Sequence, residues 1–308
     1  MKTTNRLITH SGSFHADDVL ACAVLKRLFP EADIVRTRDS VILETTTEDD
    51  IVFDVGYEYD AERRRYDHHQ PGRPLREDGA PYSSFGLVWL HHGRDYIAAY
   101  LPQLDKDEVE AVWAATDSHF VTEIDHGDNG YVPPGGSAID IATSVAFLVE
   151  DFVPSWNEPL LDVDMRFAEA VSVFSRHLER RIAKSASHAQ AQKAVLAAFL
   201  SADDPRVVAI PDYMPVGSVI RKHGFDEVLY LVERSRSGDW FVNCVRPEGE
   251  PFGQRKPLPA AWAGLRGAEL AAVTGVEDAV FCHLQRFTAA AGSRDSAIRL
   301  AYLAVNAV

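Results

Sequence analysis

Arg6-Leu-Ile-Thr-His10-Ser-Gly12-Ser-Phe-His15-Ala-Asp17-Asp18-Val19-Leu20 is the stretch on which the fold turns. Leu7 and Ile8 make Arg6–Thr9 a short buried strand, and Gly12 permits the turn after it to be tight. Val19, Leu20, Ala23, Val24 and Leu28 then recur at the 3–4 spacing of a helix whose first turn carries Asp17 and Asp18. Ala32–Thr37 and Ile51–Val55 repeat the strand signal, and Ser83–His92, Lys106–Ala115 and Ser137–Phe152 repeat the helical one. Strands alternating with helices predict an α/β fold with a mainly parallel sheet. In such sheets sites collect beyond the carboxyl ends of the strands, which is where His10 and Asp54 fall.

Pro154–Pro159 punctuates the chain, and a helical stretch without glycine or proline follows from about Met165 to Leu200. Beyond it lie strand signals at Val207–Ile210, Glu227–Val232, Trp240–Val245 and Ala279–His283, a turn-rich segment at Pro247–Pro259, and a closing helix from about Asp295 to Val305. The expected organisation is a catalytic α/β domain over residues 1–155, a helical connector over 156–204, and a smaller α+β domain over 205–308 that supplies substrate binding.

The composition narrows the chemistry. Of 308 residues, 46% are hydrophobic, so a packed core is expected and wholesale disorder is excluded. No apolar run approaches the ~20 residues of a membrane span, and MKTTNRLITH has no secretory stretch. Cys22, Cys244 and Cys282 are too few and too scattered for a disulfide scaffold or a thiolate zinc site. These features predict a soluble, cytoplasmic protein. With 31 Lys+Arg against 46 Asp+Glu the formal charge is −15, which repels polyphosphate at long range. Phosphate chemistry here would need local cations or bound metal. Eight of the 12 His precede residue 130, among several Asp, and imidazole with carboxylate is a ligand set for Mn, Fe, Zn or Mg.

Four segments carry candidate chemistry, each with a plainer alternative. His10, His15 and Asp17 sit at a strand end and helix start, as metal ligands or as a cap and surface loop. Asp54 ends the apolar strand Ile51-Val-Phe-Asp54-Val-Gly56, as a ligand or a capped carboxylate, since a bare buried one is costly. Asp67-His68-His69 places adjacent imidazoles on opposite sides of an extended segment, one for a metal and one for a substrate, or forms a polar loop. Glu123-Ile-Asp125-His-Gly-Asp128-Asn-Gly130 offers two carboxylates, or a helix terminus with Asn-Gly turn chemistry. His91 and His92 in their apolar helix read as structural, and Trp240 and Trp262 as core.

The order of these segments resembles the four-motif layout of the DHH phosphoesterases and, more closely, the melanocyte-proliferating-gene family of metal-dependent hydrolases. Thr9-His-Ser-Gly-Ser-Phe-His-Ala-Asp-Asp18, Phe53-Asp-Val-Gly56, Arg65-Tyr-Asp-His-His-Gln70, Ser83-Ser-Phe-Gly-Leu-Val-Trp-Leu-His-His-Gly93 and Asp125-His-Gly-Asp-Asn-Gly130 carry the resemblance. It continues through Arg255-Lys-Pro-Leu-Pro-Ala-Ala-Trp-Ala-Gly-Leu-Arg266 and Val280-Phe-Cys-His283, so it spans almost the whole chain. The resemblance implies a DHH-like N-terminal domain holding two divalent ions, Mn²⁺ in the first place with Mg²⁺ or another ion as alternatives. It implies His10, His15, Asp17, Asp54, His68 and Asp125 as ligands, Asp54 bridging the ions, with Asp125 preferred to Asp128. His69 would contact the substrate phosphate, and His69 and Asp54 would be catalytic. DHH relatives often use Asp-x-Asp where this chain has His15-x-Asp17, which makes the site less anionic.

In the second domain Arg255 and Lys256, in a loop bounded by Pro251 and Pro257, are candidate phosphate contacts or solvated cations. Gly292 and Arg294, at the start of the last helix, could receive an anion on backbone N–H groups. Arg63–Arg65 and Arg176–Lys184 are the candidate basic patches for RNA. Eukaryotic members of the resembled family are regarded as 3′–5′ exoribonucleases. The expected function is therefore a metal-dependent phosphodiesterase, a 3′–5′ exonuclease on RNA or short oligonucleotides. The alternatives are a small-molecule phosphatase or pyrophosphatase, and a metal-loaded nucleotide or RNA binder without turnover. The expected partners are a small phosphoester or oligonucleotide and no membrane, with a homodimer as a candidate assembly.

Overall fold

In the computed structural model, which describes residues 4–135, 144–158, 163–235, 238–250 and 252–307, the chain divides into two compact units. The first spans 1–187 and the second 188–308. The architecture is mixed α/β, with a five-stranded sheet in each unit among the described residues.

The first unit begins with β1 (Arg6–Thr9), α1 (Ala16–Leu28), β2 (Asp33–Arg36), α2 (Ser40–Glu44) and β3 (Asp50–Phe53). The short strands β4 (Tyr59–Asp60) and β5 (Arg65–Tyr66) follow, and the sheet order is β2-β1-β3-β5-β4. β2, β1, β3 and β5 are parallel, and only the edge strand β4 is antiparallel. His10, Asp54 and Asp67 therefore leave neighbouring strands at the same edge of the sheet. From Ala16 to Leu25 every residue of α1 is buried, so the helix has no solvent face in its first three turns. It packs on α3 (Ser84–Tyr100), which is followed by α4 (Lys106–Thr116), a π-helical turn at Asp117–Val121 and α5 (Thr122–Asp128).

Of the helix expected over 137–152, residues 136–143 lie outside the described residues, and α6 (Val145–Glu150) occupies the remainder. Pro159 and Pro251 also fall outside them. α7 (Val163–Leu200) is a single helix of 38 residues, and the division between the units falls inside it. The connector expected over 156–204 is thus shared, its earlier part belonging to one unit and its last turns to the other.

The second unit contains β6 (Val207–Ile210), α8 (Gly217–His223), β7 (Tyr230–Arg234), β8 (Trp240–Cys244), α9 (Gly267–Thr274), β9 (Ala279–Cys282), β10 (Thr288–Ala291) and α10 (Arg294–Asn306). Its sheet order is β6-β7-β8-β10-β9, parallel only between β6 and β7. The strand expected over Glu227–Val232 starts instead at Tyr230, where pairing with Val207 begins. Ala289-Ala-Ala lies in β10: all three side chains are fully buried, and small residues suit a strand packed under α10. Trp262 is core, and Trp240 packs against the same cluster. No helix among the described residues is long and apolar enough to cross a membrane.

Candidate metal centre

Each segment of the centre is aimed by its backbone. After β1 the chain turns through Gly12, held at φ +92°, and re-enters α1, whose cap is the backbone N–H of His15 donating to Asp18 Oδ1 at 2.8 Å. After β3, Asp54 itself adopts the left-handed conformation at φ 56°, a region asparagine and aspartate tolerate better than other L-residues. After β5, Asp67 is held by four donors. Its Oδ1 accepts from His68 N at 2.7 Å, His69 N at 3.1 Å and His69 Nδ1 at 2.7 Å, and its Oδ2 accepts from Tyr57 N at 2.6 Å. Asp67 therefore orients the His69 imidazole and pins the backbone of His68, and with Asp54, His68 and His69 it also forms a further group of potential metal donors.

Two groups of side chains meet at Asp54. On one side His10 Nε2 lies 3.1 Å from Asp54 Oδ2 and 3.3 Å from Asp18 Oδ2. On the other, His68 Nε2 lies 3.2 Å from Asp54 Oδ1, 3.5 Å from Asp128 Oδ2 and 3.7 Å from Asp17 Oδ2. His10, Asp18 and Asp54 form one potential cation site, and Asp17, His68 and Asp128 form a second. The Ser84 hydroxyl donates to Asp54 Oδ1 at 3.1 Å, fixing the carboxylate between them. A cavity of about 520 Å³ opens on the centre, lined by His10, His15, Arg38, His68, Arg73 and Asp128 among others.

The electrostatics fit a cation. Both oxygens of Asp17 and Oδ2 of Asp18 are buried without a hydrogen-bond partner, a costly state for a carboxylate that nothing coordinates. Burial, then the charges of Asp128, Asp54 and Asp18, push the Asp17 carboxyl well above its ordinary range. Burial and the Asp54 charge push Asp18 up to about 7, with His10 opposing. Burial also raises Asp128, against His68. For Asp54 burial works in the same direction, but hydrogen bonds from His10 and His68 outweigh it and hold its carboxyl below the usual range. Imidazole nitrogens with carboxylate oxygens and no thiolate are the donors that suit Mn²⁺, Mg²⁺ or Zn²⁺.

Of the residues expected from the sequence, His10, Asp17, Asp54 and His68 come together here. His15 lines the cavity with its ring 5.9 Å from that of His10, but Asp18, which sequence reasoning missed, takes the place beside His10. His69 is half exposed, and its Asp67 partner raises its pKa.

Asp125 belongs elsewhere. Its Oδ1 accepts from Ser83 N at 3.0 Å and Ser83 Oγ at 2.5 Å, and its Oδ2 accepts from Arg76 Nε at 2.5 Å. Asp128, three residues on, faces His68 instead. The Asp125 carboxylate lies so close to α3 that a Cβ at Gly86 would stand 2.7 Å from Asp125 Cγ. Gly86→Ala should therefore cost about 1–3 kcal/mol through overpacking, read as a lowered midpoint in urea unfolding. A midpoint equal to that of the parent protein would refute this account of Gly86.

The other expected contacts are committed locally. Arg255 Nη1 donates to the carbonyls of Phe225, Asp226 and Val228, and Lys256 Nζ donates to those of Val305 and Ala307. Both tie main chain together in the second unit. Gly292 N donates to Asp278 O, and Arg294 is exposed at the start of α10. His91 and His92 bond the hydroxyls of Tyr59 and Tyr66. Arg63–Arg65 is no basic patch: Arg63 pairs with Glu58, while Arg64 and Arg65 are buried on main-chain carbonyls and threonine hydroxyls. Arg176, Arg180, Arg181 and Lys184 are exposed along α7.

Known proteins share this sequence over nearly its whole length. The family model MYG1_exonuc, described as "Uncharacterised protein family (UPF0160)", matches residues 6–305. The MYG1 exonuclease of Mus musculus is 31% identical over 327 residues, covering 96% of this chain and 83% of the relative. That of Homo sapiens is 31% identical over 324 residues, covering 96% and 84%. A MYG1 protein of Schizosaccharomyces pombe is 30% identical over 327 residues, covering 99% of both chains. No solved structure matches the chain significantly. On the extent of the family match and of these relatives, the chain belongs to the MYG1 exonuclease family.

Proposed function

We propose that this protein is a divalent-metal-dependent phosphodiesterase of DHH type, acting as an exonuclease on RNA or short oligonucleotides. The observation that carries the reading is Asp54, whose two oxygens face two separate histidine–aspartate groups 3.1 and 3.2 Å away. His10, Asp18 and Asp54 would hold one ion, and Asp17, His68, Asp128 and Asp54 the other. Asp18 and Asp128 replace the His15 and Asp125 suggested by the motif order. A bound pair of divalent ions supplies a nucleophile from water at neutral pH and charge stabilisation for a phosphoryl group in transfer.

The chain's own groups do the rest. Asp67 fixes the proton of His69 on Nδ1, which leaves Nε2 of this cavity-lining imidazole as the nitrogen free to receive or donate a proton at the substrate phosphate. His10 Nδ1 faces the Ser11 carbonyl at 3.2 Å, and a carbonyl can only accept, so Nε2 is the nitrogen left for a metal. In the second unit Arg294 is the proposed anion contact, since Arg255 and Lys256 are bound to main chain.

The substrate is short. Two of the three arginines of Arg63–Arg65 are buried, so a broad cationic track for a long polymer loses one of its two candidate patches. That observation also supports a second reading, a small-molecule phosphatase or pyrophosphatase on the same centre. A panel assay with Mn²⁺ separates them. A ladder of shortened products from 5′-labelled RNA supports the exonuclease, and turnover of pyrophosphate alone supports the second reading. Undiminished phosphodiester turnover in excess chelator would overturn both.

A further inference from the structure

Three arginines reach the metal-side loops of the first unit, and they are engaged differently. Arg36 is sandwiched between the rings of Phe14 and Phe167, at 5.5 and 4.6 Å, and its terminal nitrogens are bound to Gly12 O at 2.6 Å and Asp164 Oδ1 at 2.7 Å. Arg73 gives Nη1 to Asn129 Oδ1 at 2.9 Å and to the His68 carbonyl at 3.4 Å, so it braces the loop that carries His68. Arg38 lines the cavity and is exposed, and its one hydrogen bond among the described residues runs from Nε to Ser11 O at 3.1 Å. Among the described residues both of its Nη groups are uncommitted.

That single contact is informative. The Ser11 carbonyl also faces His10 Nδ1 at 3.2 Å, so one oxygen sets the position of a proposed metal ligand and of the Arg38 guanidinium together. An arginine pinned through Nε presents its two Nη groups as a fork, the geometry that grips two oxygens of one phosphoryl group. The cavity needs such a group. Its walls bring Asp54 and Asp128 against any incoming phosphate, in a chain of net charge −15. We propose that Arg38 is a phosphoryl-binding residue of this centre, its fork holding the non-bridging oxygens of the group presented to the metals. The proposal rests on the phosphoesterase reading above.

Calorimetric titration tests it. Inorganic phosphate is titrated into the Mn²⁺-loaded protein and into Arg38→Ala and Arg38→Lys, with a parallel Mn²⁺ titration of each. The expected result is Mn²⁺ affinity within about twofold of the parent, with phosphate affinity about 10- to 100-fold weaker in R38A, the scale of a lost charge-assisted contact. Lys, which keeps the charge but not the fork, should recover part of it. Phosphate affinity unchanged in R38A overturns the proposal. So does a parallel loss of Mn²⁺ in both variants, because Arg38 would then be a brace for the Ser11 turn. If the wild-type protein binds phosphate through Arg38 yet hydrolyses no phosphoester, the clamp stands and the hydrolase reading fails.

Discussion

Asp54→Asn is expected to lower kcat/KM on a phosphodiester by at least about 10³-fold, roughly 4 kcal/mol of barrier, while the protein stays folded. Asparagine is the informative replacement because it keeps the size of the side chain and tolerates the left-handed backbone at φ 56°. It still accepts through its carbonyl oxygen, so the Ser84 hydroxyl can keep a partner. What it lacks is the charge that both histidine–aspartate groups share, along with a second oxygen able to bind a cation. Asp54→Ala would confuse the test, since alanine at that backbone conformation adds strain of its own. Circular dichroism and the urea midpoint check folding, and a metal titration checks occupancy. Activity of Asp54→Asn within tenfold of the parent would sink the bridging assignment, whatever the family resemblance suggests.

The strand ends are legible in the sequence, and of the helix-borne carboxylates only Asp17 is. His10 and Asp54 follow directly on a short strand and His68 comes two residues after one, all at one sheet edge, two of the strands marked by apolar runs, and a parallel sheet gives that edge a known use. Asp18 is hidden by an ordinary role, since an acid in the first turn of a helix is expected there for the dipole alone. The signal that could have found it is the helix itself. Ala16 to Leu25 is apolar but for Asp17 and Asp18, and two adjacent acids about 100° apart on a helix without a solvent face must both be used inside. Asp125 and Asp128 cannot be separated locally, because they lie three residues apart on one face of α5. Arg76, 49 residues earlier in the chain, decides between them by claiming Asp125. A distant partner also explains Arg63–Arg65: the run looks like surface charge until the strand pairing of β5 turns Arg65 inward onto the Asp50 carbonyl. Arg255 and Lys256 likewise spend their charge on carbonyls that only the folded chain brings within reach.

Excess Mn²⁺ is expected to raise the melting temperature of the wild-type protein by about 5–10 °C, and Asp17→Asn should abolish most of that shift while leaving the metal-free protein more stable than its parent. The two halves of this result have one cause. Asp17 holds both carboxylate oxygens in the interior with no hydrogen-bond partner, facing the charges of Asp128, Asp54 and Asp18. Without a cation the folded state must either keep that charge beside its neighbours and away from water or take up a proton to neutralise it, and both cost stability near neutral pH, so removing the carboxyl relieves the folded state. The amide of asparagine can in addition donate to the surrounding carboxylates, an option Asp17 lacks unless protonated. With a cation the balance inverts. A ligand bound only to the folded state at about 100 times its Kd stabilises by about 2.7 kcal/mol, and in a unit the size of residues 1–187, which holds the centre, each kcal/mol is worth about 2–4 °C. Asn offers one neutral oxygen in place of the carboxylate, so most of that linkage is lost. Differential scanning calorimetry with chelator and with Mn²⁺ reads both effects from the same two variants. A buried aspartate that merely packs would give a destabilised metal-free variant and an unchanged metal shift. Either of those observations would remove Asp17 from the metal centre.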